Sequence, residues 1–332
     1  MTMTMTFGLT LPQRAALFGA SSMPEMFDLA RDADTNPLFD SAWVGDSLMA
    51  KPRPESLTML GALAGITQNL KLGVGCMASF PVRDPFVFAY QWANLDFISE
   101  GRMLLAACTG IVQGGASAAE GANWGVLDKE RAARLEENID IVRKLWTGDK
   151  VTYEGKWHSY QEAFIQPAPV QAPCPIWIAS NPSPAPGREH VWERALHRVA
   201  RLADGWMTVQ MFPQMLKTNW NKIETYLAEE GRDAASFPTM AYHNLNVGSS
   251  KQACLEESKR FLDEYYGPVF SPDMVENWTA TGTPDEVVEH LRQLIEDGAK
   301  TITLRLTSWD QRGQYRRMVE EILPRVQEVT AG

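Results

Sequence analysis

Short apolar runs alternate with longer amphipathic stretches along the whole chain. This alternation is typical of parallel βαβ units, in which strands that are covered on both faces are almost entirely apolar. Eight such repeats predict an α/β fold, a (β/α)8 TIM barrel formed by one domain over residues 1–332. The predicted strands are residues 7–11, 41–44, 71–76, 102–107, 175–179, 205–209, 239–247 and 301–306.

Two of the predicted helices have clear start signals. Ser22 and Glu25 have the spacing of a capping box at the start of a helix over residues 23–34. The sequence GTPDE at 282–286 places Thr at the cap, Pro at the first helical position and acids in the first turn of a helix over 284–297.

Three segments interrupt this rhythm and are predicted to be insertions at the rim of the barrel: residues 111–128, 151–173 and 266–281. The second begins with strand-like alternation up to Gly155 and then contains three prolines, which predicts a hairpin followed by an irregular crossing. The third is rich in Pro and Gly. Lids over binding sites are usually found in segments of this kind.

The composition is that of a globular protein with a sizeable core, since 45% of the residues are hydrophobic and 22% are charged. The formal charge of −10 disfavours binding to nucleic acid or to anionic membranes, because such partners need a concentrated basic surface. A small or neutral substrate is therefore expected. The first residues lack the basic and apolar regions of a signal peptide, so a cytoplasmic protein is expected.

The cysteines and histidines give no sign of a metal site. The four cysteines, Cys76, Cys108, Cys174 and Cys254, form no Cys-x-x-Cys pair, and the five histidines have no spacing that places two ligands on one helical face. The cysteines are expected to be reduced, and a structural metal is not expected.

Candidate chemistry lies at the carboxyl ends of the strands, which converge on one mouth in a parallel barrel. The residues there are polar but nearly uncharged, and they include no pair of carboxylates and no nucleophile with a base. Cofactor chemistry is the better interpretation, because the protein then needs only to bind, orient and exclude water. These residues are Gln13, Asp46, Ser47, 76–79, 108–110, Ser180, Asn181, Gln210, Met211, Asn244, Asn246 and 307–309.

Several blocks occur in the order found in the bacterial luciferase-like superfamily, and the chain resembles that superfamily over its full length. Each block is weak alone, but their shared order is specific. The superfamily contains reduced-flavin monooxygenases and F420-dependent oxidoreductases. The blocks are FGL (7–9), SAWVGD (41–46), LGVG (72–75), RDP (83–85), LDFISEGR (95–102), PIWIA (175–179), DGW (204–206) and GTP (282–284).

The resemblance implies a flavin across the barrel mouth, with its ring backed by a bulge after the third strand that contains a non-proline cis peptide. That bulge would fall at Gly75-Cys76 or one residue later, at Met77; alternatively, Gly75 merely ends a strand. The small residues around Thr109 and Gly110 would let the backbone approach the cofactor. Cys108 adjoins them and is interpreted as a small buried thiol rather than a nucleophile.

The flavin phosphate is expected near the turn after the fifth strand, at Ser180 and Asn181. Donors there and the following helix start would attract an anion. The chain departs from the commoner Gly-Gly pattern at this turn, which leaves the phosphate donors open. Arg188 is either a further phosphate ligand or a solvated loop charge.

Ser47 stands where several F420-dependent dehydrogenases of the superfamily carry a histidine. Losing an imidazole removes the most suitable proton acceptor near neutral pH, which favours oxygen chemistry over alcohol oxidation. A peroxide formed on reduced flavin needs shielding from water. Apolar residues expected to shield it are Phe80, Trp124, Trp206, Met207, Met211, Phe212 and Trp309. Of these, Phe80, Trp124, Trp206, Met211 and Trp309 form the expected substrate pocket together with Ser47, although ordinary core packing is an alternative role for them.

The sequence therefore predicts an FMN-dependent monooxygenase that uses O2 and FMNH2 from a separate NAD(P)H:flavin reductase, because no dinucleotide-binding motif is present. Asp46, His158 and His243 are the candidate acid–base groups. The alternatives are an F420-dependent oxidoreductase and a non-catalytic flavin-binding barrel. Relatives commonly form dimers, so a homodimer is expected.

Overall fold

Eight parallel strands close into a barrel in the computed structural model, which describes residues 5–110 and 115–330. The barrel order is β1-β2-β3-β4-β7-β8-β9-β11, and β11 pairs with β1. β5 and β6 form a separate antiparallel hairpin. The strands are β1 (Phe7–Thr10), β2 (Phe39–Val44), β3 (Lys71–Met77), β4 (Met103–Ala107), β5 (Val151–Glu154), β6 (Ser159–Ala163), β7 (Ile176–Ala179), β8 (Gly205–Thr208), β9 (Thr239–Val247), β10 (Thr279–Gly282) and β11 (Thr301–Leu306).

Helices cover the outside of the barrel, as parallel strands require. A π-helical turn, Met318–Ile322, joins the last two helices. The helices are α1 (Met23–Thr35), α2 (Ser56–Ala64), α3 (Pro85–Ile98), α4 (Gly115–Asn123), α5 (Arg131–Leu145), α6 (Glu189–Leu202), α7 (Met215–Glu229), α8 (Lys251–Tyr266), α9 (Pro272–Asn277), α10 (Pro284–Glu296), α11 (Gln311–Arg317) and α12 (Leu323–Thr330). Within the described residues, no helix has the length and apolar character needed to cross a membrane.

The predicted caps are present. The Ser22 side chain accepts a hydrogen bond from the backbone N–H of Glu25, and Thr283 and Glu286 cap α10 reciprocally. The predicted hairpin is β5–β6. The segment 266–281 contains α9 and most of β10, which the sequence pattern did not indicate.

β10 has a distinct place in the sheet. β9 pairs with β11 along one edge, and its other edge is divided between β8, which takes the first half, and β10, which takes the second. The sequence of β10, TATG, has no apolar run, so its pattern gives no strand signal. This pairing brings the end of the rim segment against the barrel mouth.

Two tryptophans fill the lower part of the barrel. Trp43 of β2 and Trp177 of β7 have ring centroids 6.1 Å apart. The neighbouring strands make room for them with glycine: a Cβ on Gly73 would lie 2.4 Å from the Trp43 ring, and one on Gly205 2.5 Å from Trp177. Close packing of these rings leaves the open space at the carboxyl ends of the strands.

His243 of β9 faces the outer helix layer rather than the barrel interior. Its Nε2 lies 3.0 Å from Nε2 of His290 in α10. Burial, and then the neighbouring His290, lowers the pKa of His243 well below its usual value; burial lowers that of His290 to about 4. Both rings are therefore neutral at pH 7 and share one hydrogen bond.

Stability is expected to fall as pH drops from 7 to 5. Between a pKa near 6.5 in the unfolded chain and about 4 for His290 in the folded one, the unfolded chain binds more protons. The expected loss in free energy of unfolding is on the order of 2 kcal/mol, measured by urea unfolding at each pH. His290→Asn should flatten this dependence, whereas His190→Asn, a change at an exposed residue, should not. An unchanged slope in His290→Asn would contradict the assignment.

Candidate active site

A cavity of about 550 Å³ opens at the carboxyl ends of the barrel strands. Its size is typical of small-molecule and cofactor sites. The ends of β2, β3, β4, β7 and β8 form one part of its wall, and the segment after α8 forms the other. The predicted site residues that line it are Asp46, Ser47, Gly75, Cys76, Cys108, Thr109, Gly110, Ser180, Asn181 and Met211.

Asp46 anchors the wall between β2 and β3. One carboxylate oxygen accepts a hydrogen bond from the backbone N–H of Ser79 at 2.7 Å. The other accepts from the Ser56 hydroxyl at 2.7 Å and pairs with Arg83 at 3.3 Å. The carboxylate is almost fully buried, so these donors offset the cost of removing it from water. Asp46 therefore positions the wall, and both of its oxygens are already engaged.

The bulge in β3 lies directly beside this anchor. The peptide bond between Gly75 and Cys76 is cis, as the family resemblance implies, and the register with β4 shifts between Gly75 and Met77. Met77 itself is buried in the main hydrophobic core. The bulge turns Cys76 toward the cavity, where it is partly exposed.

Glu120 of α4 is a buried carboxylate that the sequence pattern did not single out. One of its oxygens accepts hydrogen bonds from the Ser47 hydroxyl and from the backbone N–H groups of Met49 and Ala50. Burial raises the pKa of Glu120, but these bonds more than offset that and leave it below its usual value. The Ser47 hydroxyl is thus held by Glu120 and also accepts from the backbone of Lys51.

The cavity wall is more charged than the strand ends suggested, which corrects the expectation of a nearly uncharged mouth. Lys51 and Arg53 line it, and no carboxylate lies within 4 Å of either in the part of the chain that the structure describes. Burial lowers the pKa of Lys51, and the nearby Tyr266 offsets this effect only in part. Neighbouring cations without a counter-charge favour an anion in the cavity.

Arg305 of β11 is fully buried and has an unusual set of partners. Its guanidinium donates two hydrogen bonds to Asn244 and one to the Tyr266 hydroxyl at 2.7 Å. Four aromatic rings surround it within 5.3 Å, those of Tyr242, Tyr265, Tyr266 and Trp278. Within the described ranges it has no carboxylate partner.

Tyr266 lines the cavity and accepts a hydrogen bond from Arg305. The charge of Arg305 therefore acts on a group at the cavity wall. Burial raises the pKa of Tyr266, but the charges of Arg305 and Arg53, with hydrogen bonds from Arg305 and Tyr242, leave it below its usual value. Burial raises the pKa of Tyr242. Of the two phenols, Tyr266 is therefore the more acidic one.

The arginines that line the cavity are not the one that was considered as a ligand of the flavin phosphate. Arg188 is exposed at the start of α6 and does not line the cavity, whereas Arg131 and Arg198 do. Arg131 donates to the carbonyl of Thr109, and Arg198 pairs with Glu136. Both lie on helices outside the strand ends, so inspection of the strand ends alone missed them.

Four aromatic residues that were predicted to shield the cofactor from water do not line the cavity. Phe80 and Trp206 are buried in the core, Trp309 packs on Phe18 and Phe261, and Trp124 is exposed. These aromatic residues are absent from the cavity wall. Met207, Met211 and Phe212 of the predicted shield do line the cavity, and further apolar residues line it with them: Met215, Tyr242, Phe270, Met274 and Trp278.

The two candidate histidines also lie away from the cavity wall. His158 belongs to the β5–β6 hairpin region and stacks on Tyr160, and burial lowers its pKa. His243 faces α10, as described above. Neither is placed to contact a molecule in the cavity.

The fold and the place of the cavity define a (β/α)8 barrel with a small-molecule site at its mouth. A family model described as luciferase-like monooxygenase matches residues 5–301, and the chain belongs to that family. It is 28% identical to an F420-dependent glucose-6-phosphate dehydrogenase of Nakamurella multipartita, covering 94% of each chain. It is 26% identical to the enzyme of the same description from Microbacterium testaceum, covering 96% of this chain and 98% of that one.

Solved structures share the fold at lower identity. An F420-dependent secondary alcohol dehydrogenase, in complex with an F420-acetone adduct, superposes with a TM-score of 0.81 at 18% identity, covering 98% of this chain and 99% of that one. A monooxygenase from Streptomyces bottropensis gives a TM-score of 0.78 at 21% identity, covering 96% and 99%. These likenesses show the fold.

Asp46→Ala should destabilise the protein, because it leaves the Ser79 N–H and the Ser56 hydroxyl without their buried acceptor and leaves Glu55 as the carboxylate partner of Arg83. The expected loss in free energy of unfolding is about 3 kcal/mol, measured by urea unfolding. Asp149→Ala, at an exposed turn before β5, is the matched control and should change stability little. An Asp46→Ala variant as stable as the control would refute the anchoring role.

Proposed function

We propose that the protein is an F420-dependent oxidoreductase that transfers a hydride between the deazaflavin and a small organic substrate. The observation that carries this proposal is the end-to-end match to relatives named as F420-dependent dehydrogenases, combined with a cavity at the mouth of the barrel. The relatives favour F420 over the FMN that the sequence pattern predicts.

The cavity residues are suited to a deazaflavin cofactor. Gly75 and Gly110 leave room at the wall; a Cβ on Gly110 would come within 3.1 Å of the Ala78 carbonyl. Thr109, Ser180 and Asn181 offer polar groups close by. When bound, F420 supplies the hydride-accepting ring, and the protein supplies orientation, exclusion of water and proton transfer.

We propose that the substrate is anionic. Lys51 and Arg53 are cations at the cavity wall without a carboxylate partner among the described residues, and a carboxylate or phosphate group would neutralise them. The curated relatives are named for a sugar phosphate. The net charge of −10 does not oppose this, since recognition depends on the local charges.

Tyr266 is the proposed proton acceptor. Oxidation of an alcohol releases a hydride from carbon and a proton from oxygen, and the proton needs an acceptor at the cavity wall. Arg305 stabilises the phenolate of Tyr266, because their hydrogen bond is charge-assisted in that state. Tyr266 would thus act in place of the histidine that several F420-dependent dehydrogenases of the superfamily carry at the position of Ser47.

A second candidate is the predicted FMNH2-dependent monooxygenase. The absent imidazole at Ser47 favours it, as do the Met and Phe side chains that line the cavity. The separate flavin reductase and the homodimer remain predictions.

The cofactor preference is tested by titrating the purified protein with F420 and with FMN while the quenching of cofactor fluorescence is followed. F420 should bind at least tenfold more tightly. A matched variant, Gly110→Val, should weaken F420 binding by placing a side chain against Ala78, whereas Gly187→Val, in an open loop, should not. Tighter binding of FMN, with a transient peroxyflavin spectrum on adding oxygen, would favour the second candidate.

Tyr266→Phe should lower kcat/KM for alcohol oxidation by about a hundredfold, a typical contribution of a positioned base. In the unmodified protein the rate should rise with pH as the phenol loses its proton, and this rise should be absent in the variant. Tyr265→Phe removes the hydroxyl from a neighbouring ring that also packs against Arg305 and should retain the pH profile. An unchanged profile in Tyr266→Phe would exclude Tyr266 as the base.

A further inference from the structure

Cys76 and Cys108 form a thiol pair in the wall of the cavity. Cys76 lies in the bulge of β3, and Cys108 follows the last residue of the neighbouring strand β4. Their sulfur atoms are 2.7 Å apart, closer than unbonded sulfur atoms normally approach. A disulfide needs about 2.05 Å, so bond formation requires movement of less than an ångström.

The two thiols are not equivalent. Cys76 is partly exposed, whereas only 7% of the Cys108 surface is accessible. The hydrogen bond to Cys76, and then burial, raise the pKa of the Cys108 thiol. Cys76 is therefore the sulfur that a small molecule in the cavity reaches first, and Cys108 stays protonated behind it.

We propose that Cys76 and Cys108 are a peroxide-reactive pair that forms a reversible disulfide in the cavity wall. The Cys76 thiolate attacks one oxygen of hydrogen peroxide, the O–O bond breaks, and the departing hydroxide takes a proton to become water. Cys108 then attacks the sulfur of the Cys76 sulfenic acid, and its proton leaves with the hydroxyl group as a second water. The two thiols lose two electrons in total, and one peroxide is reduced to two waters.

The disulfide would form next to cavity residues that are proposed to contact the cofactor. Gly75, Thr109 and Gly110 adjoin the two cysteines and line the same cavity. A cross-link between the β3 bulge and the end of β4 would fix the spacing of these groups. Cys174 and Cys254 are buried elsewhere and do not line the cavity.

The test uses the full-length, fully reduced protein without cofactor, so its outcome is independent of the proposed function. After one equivalent of hydrogen peroxide and denaturation, titratable thiols should fall from four to two. Peptide mapping should show a link between Cys76 and Cys108 and the loss of two hydrogen atoms in mass. Dithiothreitol should restore all four thiols.

Matched variants identify the pair. Cys76→Ser should retain its three thiols, and Cys108→Ser should fall from three thiols to two because Cys76 stops at the sulfenic acid; neither should form an intramolecular cross-link. Cys174→Ser and Cys254→Ser should each fall from three thiols to one. Far-ultraviolet circular dichroism checks that each variant is folded, and Cys108→Ala serves if Cys108→Ser is not. Four surviving thiols in the unmodified protein, sulfinic acid without a cross-link, or a link through Cys174 or Cys254 would each overturn the proposal.

Discussion

The buried carboxylate of Asp46 is the constraint on which the site depends. A carboxylate removed from water must find donors, and Asp46 finds them in Ser79, Ser56 and Arg83. These bonds join the end of β2 to the turn after β3 and to the start of α2. The β3 bulge with Cys76 lies between that turn and the rest of the strand. The bonds of Asp46 therefore hold the side of the cavity that is formed by the ends of β2 and β3.

The cations at the cavity have a different electrostatic environment from Asp46. Arg305 has aromatic rings and neutral oxygens around it, and Lys51 and Arg53 have no carboxylate partner among the described residues. Asp46 is neutralised within the fold, whereas these cations are left for a bound molecule and for Tyr266. This difference is the physical basis for proposing an anionic substrate beside a proton-accepting phenol.

The sequence predicted the barrel well, because eight buried parallel strands are nearly continuous apolar runs and helix caps have local signatures. β10 was missed because its pairing with β9 is set by tertiary contacts rather than by its own pattern. The site was predicted at the strand ends and missed beyond them: Lys51 and Glu120 come from a loop and a helix. Trp206 shows the converse, since an aromatic residue at a strand end is buried in the core here.

The most direct test of the proposed cofactor site is a crystal structure of the protein with F420 bound. We expect the deazaflavin ring in the cavity, against the Gly75–Cys76 bulge, with Tyr266 facing the space left for substrate. A ring bound elsewhere on the surface, or a cavity that stays empty at saturating F420, would contradict it.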